Sequence, residues 1–350
     1  MKGIILHGGQ GTRLRPLTHT GPKQLINIAG KPVSQWAIEK LRNMGINDIA
    51  IVLGENHPEK VIKYYGDGSL FGLNITYVYQ GKARGIAEAI YRCKNFIKED
   101  DFIVYLGDNV VLEDLKNMVK KDYDASILLA KVDDPRAFGV AVIKNEKVVK
   151  LVEKPKEIIS NLALVGIYYF KPSIFDYIAK LKPSARGELE ITEAIQYFID
   201  DGKNIGFSII DGWWKDTGNP SDLLEANMKF LDYFGFSSNN GILINSRILG
   251  RVFLGKGSTI KNSTIIGPAY IGDEVIIENS KLEPYTSIGN KTKIIDSSIS
   301  FSLILENSYI ENITLTETIM GNNSKAIGDG SNSKFNLVIG ENSTVKKVFK

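Results

Sequence analysis

The 350-residue sequence has a single cysteine, Cys93, which excludes a scaffold held together by disulfide bonds. It has no large excess of either charge, since 43 Lys and Arg face 40 Asp and Glu, and this argues against a nucleic-acid-binding surface. The apolar stretch at its start, residues 3–6, is too short for a signal peptide or a membrane span. We therefore expect a cytoplasmic protein without a nucleic-acid or membrane partner, in which Cys93 is a buried structural thiol.

What the sequence does contain is two kinds of hydrophobic periodicity, and the first extends from the start to about residue 234. Short β-branched runs there alternate with helical patterns, which is typical of an α/β sheet with right-handed crossovers. These segments are residues 3–6, 33–44, 49–53, 58–65, 75–79, 87–96 and 102–106. Strand-like segments with short spacers then indicate a mixed sheet, followed by a helix; they are residues 125–132, 138–143, 148–153 and 164–170, with the helix at 189–200.

The second periodicity begins after Gly241, where aliphatic residues recur every six positions and occasionally every five. One inward aliphatic residue in each short strand is typical of a parallel β-helix, and residues 241–346 would supply about six coils of three hexads. The alternative is a β-sandwich with coincidental spacing. Ser, Asn and Thr fill the remaining positions and are expected at the corners, while 321–336 is expected to be a loop or an irregular coil. The recurring positions are Ile242, Ile248, Leu254, Ile260, Ile266, Ile271, Ile277, Leu282, Ile288, Ile294, Ile299, Leu305 and Ile310.

A glycine-rich segment follows the first predicted strand. Gly8, Gly9 and Gly11 would let backbone amides approach a polyphosphate closely, and Arg13 and Lys23 would add two cations. The segment is neither a P-loop, since no Gly-Lys-Ser/Thr follows, nor a dinucleotide fingerprint. It predicts an anion-binding cradle, with a purely structural turn as the alternative.

The longer string Gly8-Gly9-x-Gly11-Thr12-Arg13-Leu14-x-Pro16, with Pro22-Lys23, resembles the signature of sugar-1-phosphate nucleotidyltransferases. Further similarities follow in chain order: Gln80 with Gly85, Leu106-Gly107-Asp108-Asn109, Val152-Glu153-Lys154-Pro155, Arg186-Gly187-Glu188-Leu189-Glu190-Ile191-Thr192 and Trp214-Lys215-Asp216-Thr217-Gly218. Within that family the chain looks most like glucose-1-phosphate thymidylyltransferases of the long form, which carry a hexapeptide-repeat tail. The resemblance implies a Rossmann-like α/β domain with a mixed sheet, residues 1–236, followed by a left-handed parallel β-helix, residues 237–350.

The reaction implied by the resemblance is attack of a sugar 1-phosphate oxygen on the α-phosphorus of a nucleoside triphosphate, with pyrophosphate leaving. Charge must be neutralised on both sides, so we assign Asp108 and Asp216 to Mg²⁺. Arg13 would hold the β and γ phosphates and Lys23 would neutralise the α-phosphate; no general base is needed, because the attacking oxygen is already ionised. The structural alternatives are a helix cap at Asp108, a turn at Asp216 and a solvated loop pair at Arg13 and Lys23.

The sugar phosphate is expected to be bound by a second group of residues. Lys154 and Arg186 would hold its phosphate, and Glu153 would accept hydrogen bonds from sugar hydroxyls, with a surface salt bridge as the alternative. Gly139 and Val165, the latter next to Gly166, match positions where the family contacts the sugar through the backbone; a plain strand glycine is the alternative there.

The nucleotide is expected to be bound by Gly8, Gly9, Gly11, Thr12 and Arg13, and its base by Gln80 and Gly85. Gln80 can present both a donor and an acceptor to thymine or uracil. Because a methyl group is worth only about 1–3 kcal/mol in a pocket, weak discrimination between dTTP and UTP is expected. The chain departs from the family at His7, where a small residue is usual, and we expect the imidazole to point aside.

The tail contains none of the three histidines, His7, His19 and His57, which excludes a histidine-dependent acetyltransferase in residues 241–350. It is expected to serve assembly of a homo-oligomer, with a trimer favoured and dimers, tetramers or a regulatory site as alternatives. The function expected overall is transfer from dTTP to glucose 1-phosphate with Mg²⁺ as cofactor. The alternatives are a UTP-dependent enzyme acting on glucose 1-phosphate or N-acetylglucosamine 1-phosphate, and a noncatalytic nucleotide-sugar sensor.

Overall fold

The computed structural model describes residues 1–118, 120, 122–235, 237–331 and 333–347. The chain divides into two compact units, and each is treated by itself. The first unit comprises Met1–Gln10 and Ser34–Asp216, and the second comprises Gly11–Val33 and Thr217–Lys350. The division predicted at 236/237 involves Phe236, which lies outside the described residues, and it stays a prediction.

The secondary-structure elements up to residue 234 are numbered in chain order. The strands are β1 (Lys2–His7), β2 (Asn27–Ile28), β3 (Lys31–Pro32), β4 (Asp48–Gly54), β5 (Asn74–Gly81), β6 (Phe102–Leu106), β7 (Asn109–Val111), β8 (Ala125–Lys131), β9 (Gly139–Lys144), β10 (Lys147–Glu153), β11 (Leu162–Phe170), β12 (Ile205–Ile209) and β13 (Trp214–Asp216). The helices are α1 (Val33–Asn43), α2 (Pro58–Tyr65), α3 (Ile86–Arg92), α4 (Lys94–Ile97), α5 (Ile174–Ile178), α6 (Ile191–Asp200) and α7 (Pro220–Phe234). Short 3-10 helices lie at Thr12–Leu14, Leu17–His19, Lys23–Leu25, Ser69–Phe71, Leu115–Met118 and Pro135–Ala137.

The first unit is built on a mixed nine-stranded sheet with the order β10-β9-β11-β6-β1-β4-β5, to which β8 and β12 are added beside β11. Strands β6, β1, β4 and β5 are parallel, and β11 runs antiparallel to β6. The parallel strands read as continuous aliphatic runs, such as Ile4 and Ile5 in β1, because they are buried on both faces. The α/β domain with a mixed sheet is therefore confirmed.

One predicted helix, residues 87–96, is divided in two. Helix α3 ends at Arg92 and α4 begins at Lys94, and Cys93 between them donates its N–H to the carbonyl of Ile90, a tighter turn than an α-helix makes. The Cys93 thiol is fully buried, and this burial raises its pKa to about 12. Among the described residues no helix is both long enough and apolar enough to cross a membrane.

The second unit contains the parallel β-helix. Its strands are β14 (Ser238–Asn239), β15 (Ile242–Ile244), β16 (Arg247–Leu249), β17 (Val252–Leu254), β18 (Thr259–Lys261), β19 (Thr264–Ile266), β20 (Ala269–Ile271), β21 (Ile276–Glu278), β22 (Lys281–Leu282), β23 (Thr286–Ile288), β24 (Lys293–Ile295), β25 (Ser298–Ser300), β26 (Leu303–Ile304), β27 (Tyr309–Glu311), β28 (Thr314–Thr316), β29 (Ile319–Met320), β30 (Lys325–Ile327), β31 (Lys334–Phe335), β32 (Val338–Ile339) and β33 (Thr344–Lys346). They form three parallel faces. The first face is β14-β17-β20-β23-β26-β29-β32, the second β15-β18-β21-β24-β27-β30-β33 and the third β16-β19-β22-β25-β28-β31.

This architecture confirms the predicted left-handed β-helix, with differences in register. Ile265 and Ile304 fill the core where Ile266 and Leu305 were expected, because a shift of one residue in a strand turns its side chains to the other side. Ile242 is 59% exposed rather than inward. The expected irregular segment 321–336 instead contains β30 and β31, and only the connection between them is long.

Small polar residues hold the corners together, as the sequence predicts. The hydroxyl of Ser246 accepts the N–H of Ser263 one coil later, and the same bond repeats from Ser280 to the hydroxyl of Ser263 and from Ser297 to that of Ser280. Asn262 stands beside this ladder with a left-handed backbone (φ 49°) and donates its side-chain N–H to Asn279. Each corner thus satisfies backbone groups that a turn would otherwise leave unpaired.

Candidate active site

Two aspartates meet at one end of a small ribbon in the first unit. Asp108 lies in the turn after β6 and leads directly into β7, while Asp216 ends β13. Strands β7 and β13 are antiparallel, with Asp216 opposite Asn109, the residue next to Asp108. Residues directly opposite each other in such a pair have Cα atoms about 4.5–5.5 Å apart. The register therefore brings both carboxylates to the same end of the ribbon, and Asp108 precedes a strand rather than capping a helix.

Asn109 orients the first of these aspartates. It is buried, donates its side-chain N–H to Asp108 Oδ1 (3.1 Å) and accepts the indole N–H of Trp214 at Oδ1 (2.7 Å). From the sequence, Asn109 is only one residue of a motif and no role is predicted for it. The sequence feature that could have identified Asn109 is its position directly after the aspartate that follows β6.

The donor set suits a metal that keeps open positions. Among the described residues no group of three or more His, Cys, Asp or Glu side chains could hold a metal ion by itself. Two carboxylates suit Mg²⁺, which usually keeps waters and takes substrate phosphates as further ligands. The pair Asp108 and Asp216 thus fits a metal that binds together with a phosphate.

Gln80 is held in one orientation at the end of β5. It is buried, and its Nε2 donates to Glu88 Oε2 (2.7 Å) and to the carbonyl of Gly85 (3.3 Å). A Cβ atom on Gly8 would lie 2.6 Å from Gln80 Oε1, so glycine at position 8 is what allows this approach. Glu88 in α3, which sequence reasoning missed, fixes the amide so that its oxygen is directed toward Gly8.

Gly85 connects this segment to the acceptor-side loop. Its φ is +108°, and a Cβ atom there would lie 2.3 Å from the carbonyl oxygen of Leu189. Two backbone hydrogen bonds join the segments around this glycine. Leu189 donates its N–H to the carbonyl of Arg84 (2.8 Å), and Ala87 donates its N–H to the carbonyl of Leu189 (3.2 Å). Any side chain at position 85 would separate these two segments.

Glu153 and Arg186 meet in a cluster of carboxylates. One guanidinium nitrogen of Arg186 donates to Glu153 Oε1 (3.2 Å) and Glu190 Oε1 (2.8 Å), and it lies 3.7 Å from Glu188. Burial and the neighbouring Glu190 raise the pKa of Glu153 against the opposing effect of Arg186. The ion pair that sequence reasoning kept as an alternative is therefore present, with Glu190 as a partner it missed.

The other sugar-side residues surround this cluster. Glu153 pairs with Gly139 in the β9–β10 register, and a Cβ atom on Gly139 would lie 2.7 Å from Thr192 Cγ2. Lys154 is exposed and donates its N–H to the carbonyl of Phe138 (2.9 Å). Val165 is buried, so only its backbone is available to a ligand. Gly139 therefore leaves room for the Glu153 carboxylate and the Thr192 methyl.

Part of the glycine-rich string belongs to the second unit. Gly11 has a φ of +62°, and its carbonyl accepts the hydroxyl of Thr18 (2.7 Å) and the N–H of Leu14 (3.0 Å). The short helix that follows exposes Thr12 and Arg13. Lys23, at the start of another short helix, is only 8% exposed. The solvated alternative therefore does not describe Lys23, whereas Arg13 is exposed to solvent.

In the first unit, Gly9 is exposed directly after Gly8, and His7 before them is buried. The imidazole of His7 packs edge-on against Tyr65, with 6.3 Å between the ring centroids. Burial lowers the pKa of His7 to about 3, although Asp108 acts in the opposite direction. The ring is therefore neutral at physiological pH and directed into the core.

The family described as nucleotidyl transferase matches residues 2–233. The chain is 44% identical over 359 residues to the low-salt glycan biosynthesis nucleotidyltransferase Agl11 of Haloferax volcanii, covering 99% of this chain and 100% of that protein. It is 40% identical over 330 residues to a glucose-1-phosphate thymidylyltransferase of Streptomyces antibioticus, covering 92% of each. A crystal structure of a protein from Bacillus anthracis, named a putative glucose-1-phosphate thymidylyltransferase, matches with a TM-score of 0.61 and 42% identity over 65% of this chain and 94% of the other.

Proposed function

Since this chain belongs to the nucleotidyl transferase family, we propose that it transfers a thymidylyl group from dTTP to glucose 1-phosphate, giving dTDP-glucose and pyrophosphate. The observation that carries the proposal is the pairing of β7 with β13, which brings Asp108 and Asp216 to the same end of this ribbon. The relative from Streptomyces antibioticus, named for this activity and similar over 92% of both chains, supports the choice of substrates.

The chain's own residues serve a reaction that consists mostly of positioning and charge neutralisation. The ionised phosphate oxygen of the sugar attacks the α-phosphorus, the bond to the bridging oxygen of the β-phosphate breaks, and pyrophosphate leaves with that electron pair. Arg13 binds the departing β and γ phosphates. Lys23, being buried, offsets charge on the α-phosphate more strongly than an exposed lysine would. Asp108 and Asp216 would hold Mg²⁺, which when bound would supply further neutralisation of the triphosphate.

The sugar phosphate is bound on the side of Glu153. Lys154 and Arg186 pair with its phosphate, and the Glu153 carboxylate accepts hydrogen bonds from the sugar hydroxyls. Arg186 already faces three carboxylates, so an incoming phosphate competes with them for one cation. This competition favours a dianionic phosphate over a neutral sugar.

The base is selected through the oxygen of Gln80. Because Nε2 of Gln80 is engaged by Glu88 and Gly85, Oε1 is the group left for a ligand, and it is an acceptor only. Thymine and uracil carry a donor at N3, whereas cytosine carries an acceptor there. The arrangement supports dTTP and UTP over CTP, and UTP-dependent transfer is therefore the second candidate.

The test is pyrophosphate release with Mg²⁺ and either glucose 1-phosphate or N-acetylglucosamine 1-phosphate, each run side by side with dTTP, UTP, CTP, ATP and GTP. We expect turnover with dTTP, a lower or similar rate with UTP, and little with the others. A higher rate with UTP, or turnover only with N-acetylglucosamine 1-phosphate, would replace the proposed substrates. No turnover with any of these pairs would favour a noncatalytic sensor.

We also propose that the protein acts in the cytoplasm as a homo-oligomer, with residues 237–350 as the assembly domain. The polar corners and continuous aliphatic core support a rigid tail suited to that role. Static light scattering of the full chain tests the oligomer.

A further inference from the structure

The segment 11–33 carries Arg13 and Lys23 but has little regular structure of its own. It contains three 3-10 helices and the hairpin β2–β3, whose strands are two residues each. An isolated hairpin is at best marginally stable in water, and short 3-10 helices are weaker than α-helices. Its order therefore depends on contacts with other parts of the chain, and three of these contacts lie within the second unit.

One contact is made by an aromatic ring on the first face of the β-helix. Tyr270 in β20 occupies the space above Gly30, where a Cβ atom would lie 2.3 Å from the ring carbon Cζ. The ring is supported from the preceding coil by Phe253, which stacks on it at 4.9 Å with an angle of 2° between the planes. The hairpin thus rests on a stacked aromatic pair.

A second contact runs through a fully buried amide on α7. Asn227 Oδ1 accepts the N–H of Ala29 (2.9 Å) and the hydroxyl of Ser287 (2.6 Å), and its Nδ2 donates to the carbonyl of Tyr285 (3.0 Å). Ser287 belongs to β23, the strand next to β20 on the first face. The hairpin, α7 and the β-helix are therefore joined at one side chain.

The third contact is at the last coil. A column of glycines follows strands of the first face, and a Cβ atom on Gly255, Gly272, Gly289 or Gly321 would strike the backbone or side chain of the next coil at 2.4–2.6 Å. Gly340 comes last in this column. A Cβ atom on Gly340 would lie 2.9 Å from the carbonyl oxygen of Pro16. The segment 11–33 therefore occupies the place where another coil would stack.

From these three contacts we infer that the first face of the β-helix positions the segment 11–33 for binding the phosphates of the nucleotide. The last coil contacts Pro16, the third coil contacts Gly30, and α7 binds Ala29. Arg13 and Lys23 lie on the same stretch of chain. Misplacement of a binding group by about 1 Å can cost about 100-fold in rate. The tail is thus a positioning element for the reaction as well as an assembly domain; this role rests on the proposed function, in which Arg13 and Lys23 bind the triphosphate.

The test compares Tyr270→Ala with Tyr270→Phe in the full chain. The alanine variant removes the ring above Gly30, whereas phenylalanine keeps it. We expect kcat/KM for dTTP to fall at least tenfold in Tyr270→Ala, while KM for glucose 1-phosphate stays within twofold. In Tyr270→Phe, kcat/KM for dTTP should stay within twofold of the wild-type value. Tyr309→Ala, which removes a tyrosine ring from the second face, is the control and should also stay within twofold.

Two further readouts separate this inference from the proposed function. Hydrogen exchange of the amides in residues 24–31 should be faster in Tyr270→Ala than in the wild type, and calorimetry should show at least tenfold weaker binding of dTTP. If the wild type binds dTTP but releases no pyrophosphate, the proposed function fails and the binding measurement still decides the inference. If the wild type does not bind dTTP, both fail.

Unchanged kcat/KM and unchanged binding of dTTP in a folded Tyr270→Ala variant would overturn the inference, whatever the exchange rates. If that variant does not fold, Gly340→Ala provides the second measurement, since its methyl group displaces Pro16 from the opposite end of the segment. We expect the same selective loss toward dTTP. Gly340→Ala with wild-type values for both substrates would also overturn the inference.

Discussion

At the scale of single residues, the site depends on groups that hold other groups in place. Asn109 binds the side chain of Asp108, and Glu88 fixes the amide of Gln80. Neither was assigned a role from the sequence, since a helper residue is recognised by its contacts rather than by its type. The charged residues that are expected to touch substrate are easier to propose from the sequence, because the chemistry requires carboxylates and cations.

Asp216→Asn should lower kcat by about 100-fold or more, the scale observed when one electrostatic contact in an active site is removed. The amide keeps the shape of the side chain but removes its charge, so KM for glucose 1-phosphate should change little. The measurement is steady-state pyrophosphate release. Asp211→Asn, an exposed change five residues earlier, is the matched control and should be silent; near-normal turnover of Asp216→Asn would remove this residue from the metal site.

Glu88→Gln should relax selection of the base. A glutamine at position 88 can donate as well as accept, so the amide of Gln80 is no longer held with its oxygen outward. One such contact is worth about 1–3 kcal/mol, so the preference for dTTP over CTP in kcat/KM should fall by about tenfold. Glu99→Gln, which is exposed, should keep the preference. An undiminished preference in Glu88→Gln would show that Glu88 does not orient Gln80.

At the scale of elements, short strands and turns rather than long helices position the residues of the site and hold the coils of the β-helix together. The ribbon β7–β13 has only three residues on each side, yet its register decides which side chains face each other. The corners of the β-helix are similar, because each depends on one serine or asparagine that satisfies the next coil. Such elements are too short to be identified by periodicity alone.

Asn227→Ala should lower the free energy of unfolding by about 1–3 kcal/mol for each buried partner left unsatisfied. The partners are the N–H of Ala29 in the β2–β3 turn, the hydroxyl of Ser287 in β23 and the carbonyl of Tyr285 just before that strand. Chemical denaturation of the full chain measures the change. Asn240→Ala, at an exposed position, provides the reference, and equal stability of the two variants would contradict the importance of this link.

At the scale of the whole molecule, the first coil of the β-helix exposes aliphatic side chains. Ile242 is 59% exposed and Leu249 is 47% exposed. Solenoid ends usually need protection from solvent, which supports the proposed assembly. Light scattering should therefore give three times the mass of one chain, and Ile242→Lys should lower that value. A monomeric mass for the wild-type chain would contradict the trimer and leave the transferase proposal untouched.

The sequence alone determined most of the architecture. Alternating apolar runs and the hexad pattern predicted the mixed sheet and the β-helix, because burial imposes a period on every long element. The same periodicity misplaced Ile266 and Leu305 by one residue, since strands of two or three residues contain too few positions to establish their register. The sequence could propose the signature residues Arg13, Lys23, Asp108 and Asp216 because their motifs are local.

Only the tertiary structure decided how distant residues combine. Asp216 is opposite Asn109 although 107 positions separate them, and no local pattern encodes a pairing of that range. Gly340 and Tyr270 resemble any other residues of the repeat, yet they face Pro16 and Gly30. The physical reason is that a hydrophobic period specifies which side of an element is buried, whereas the partner on that side is chosen by the packing of the complete chain.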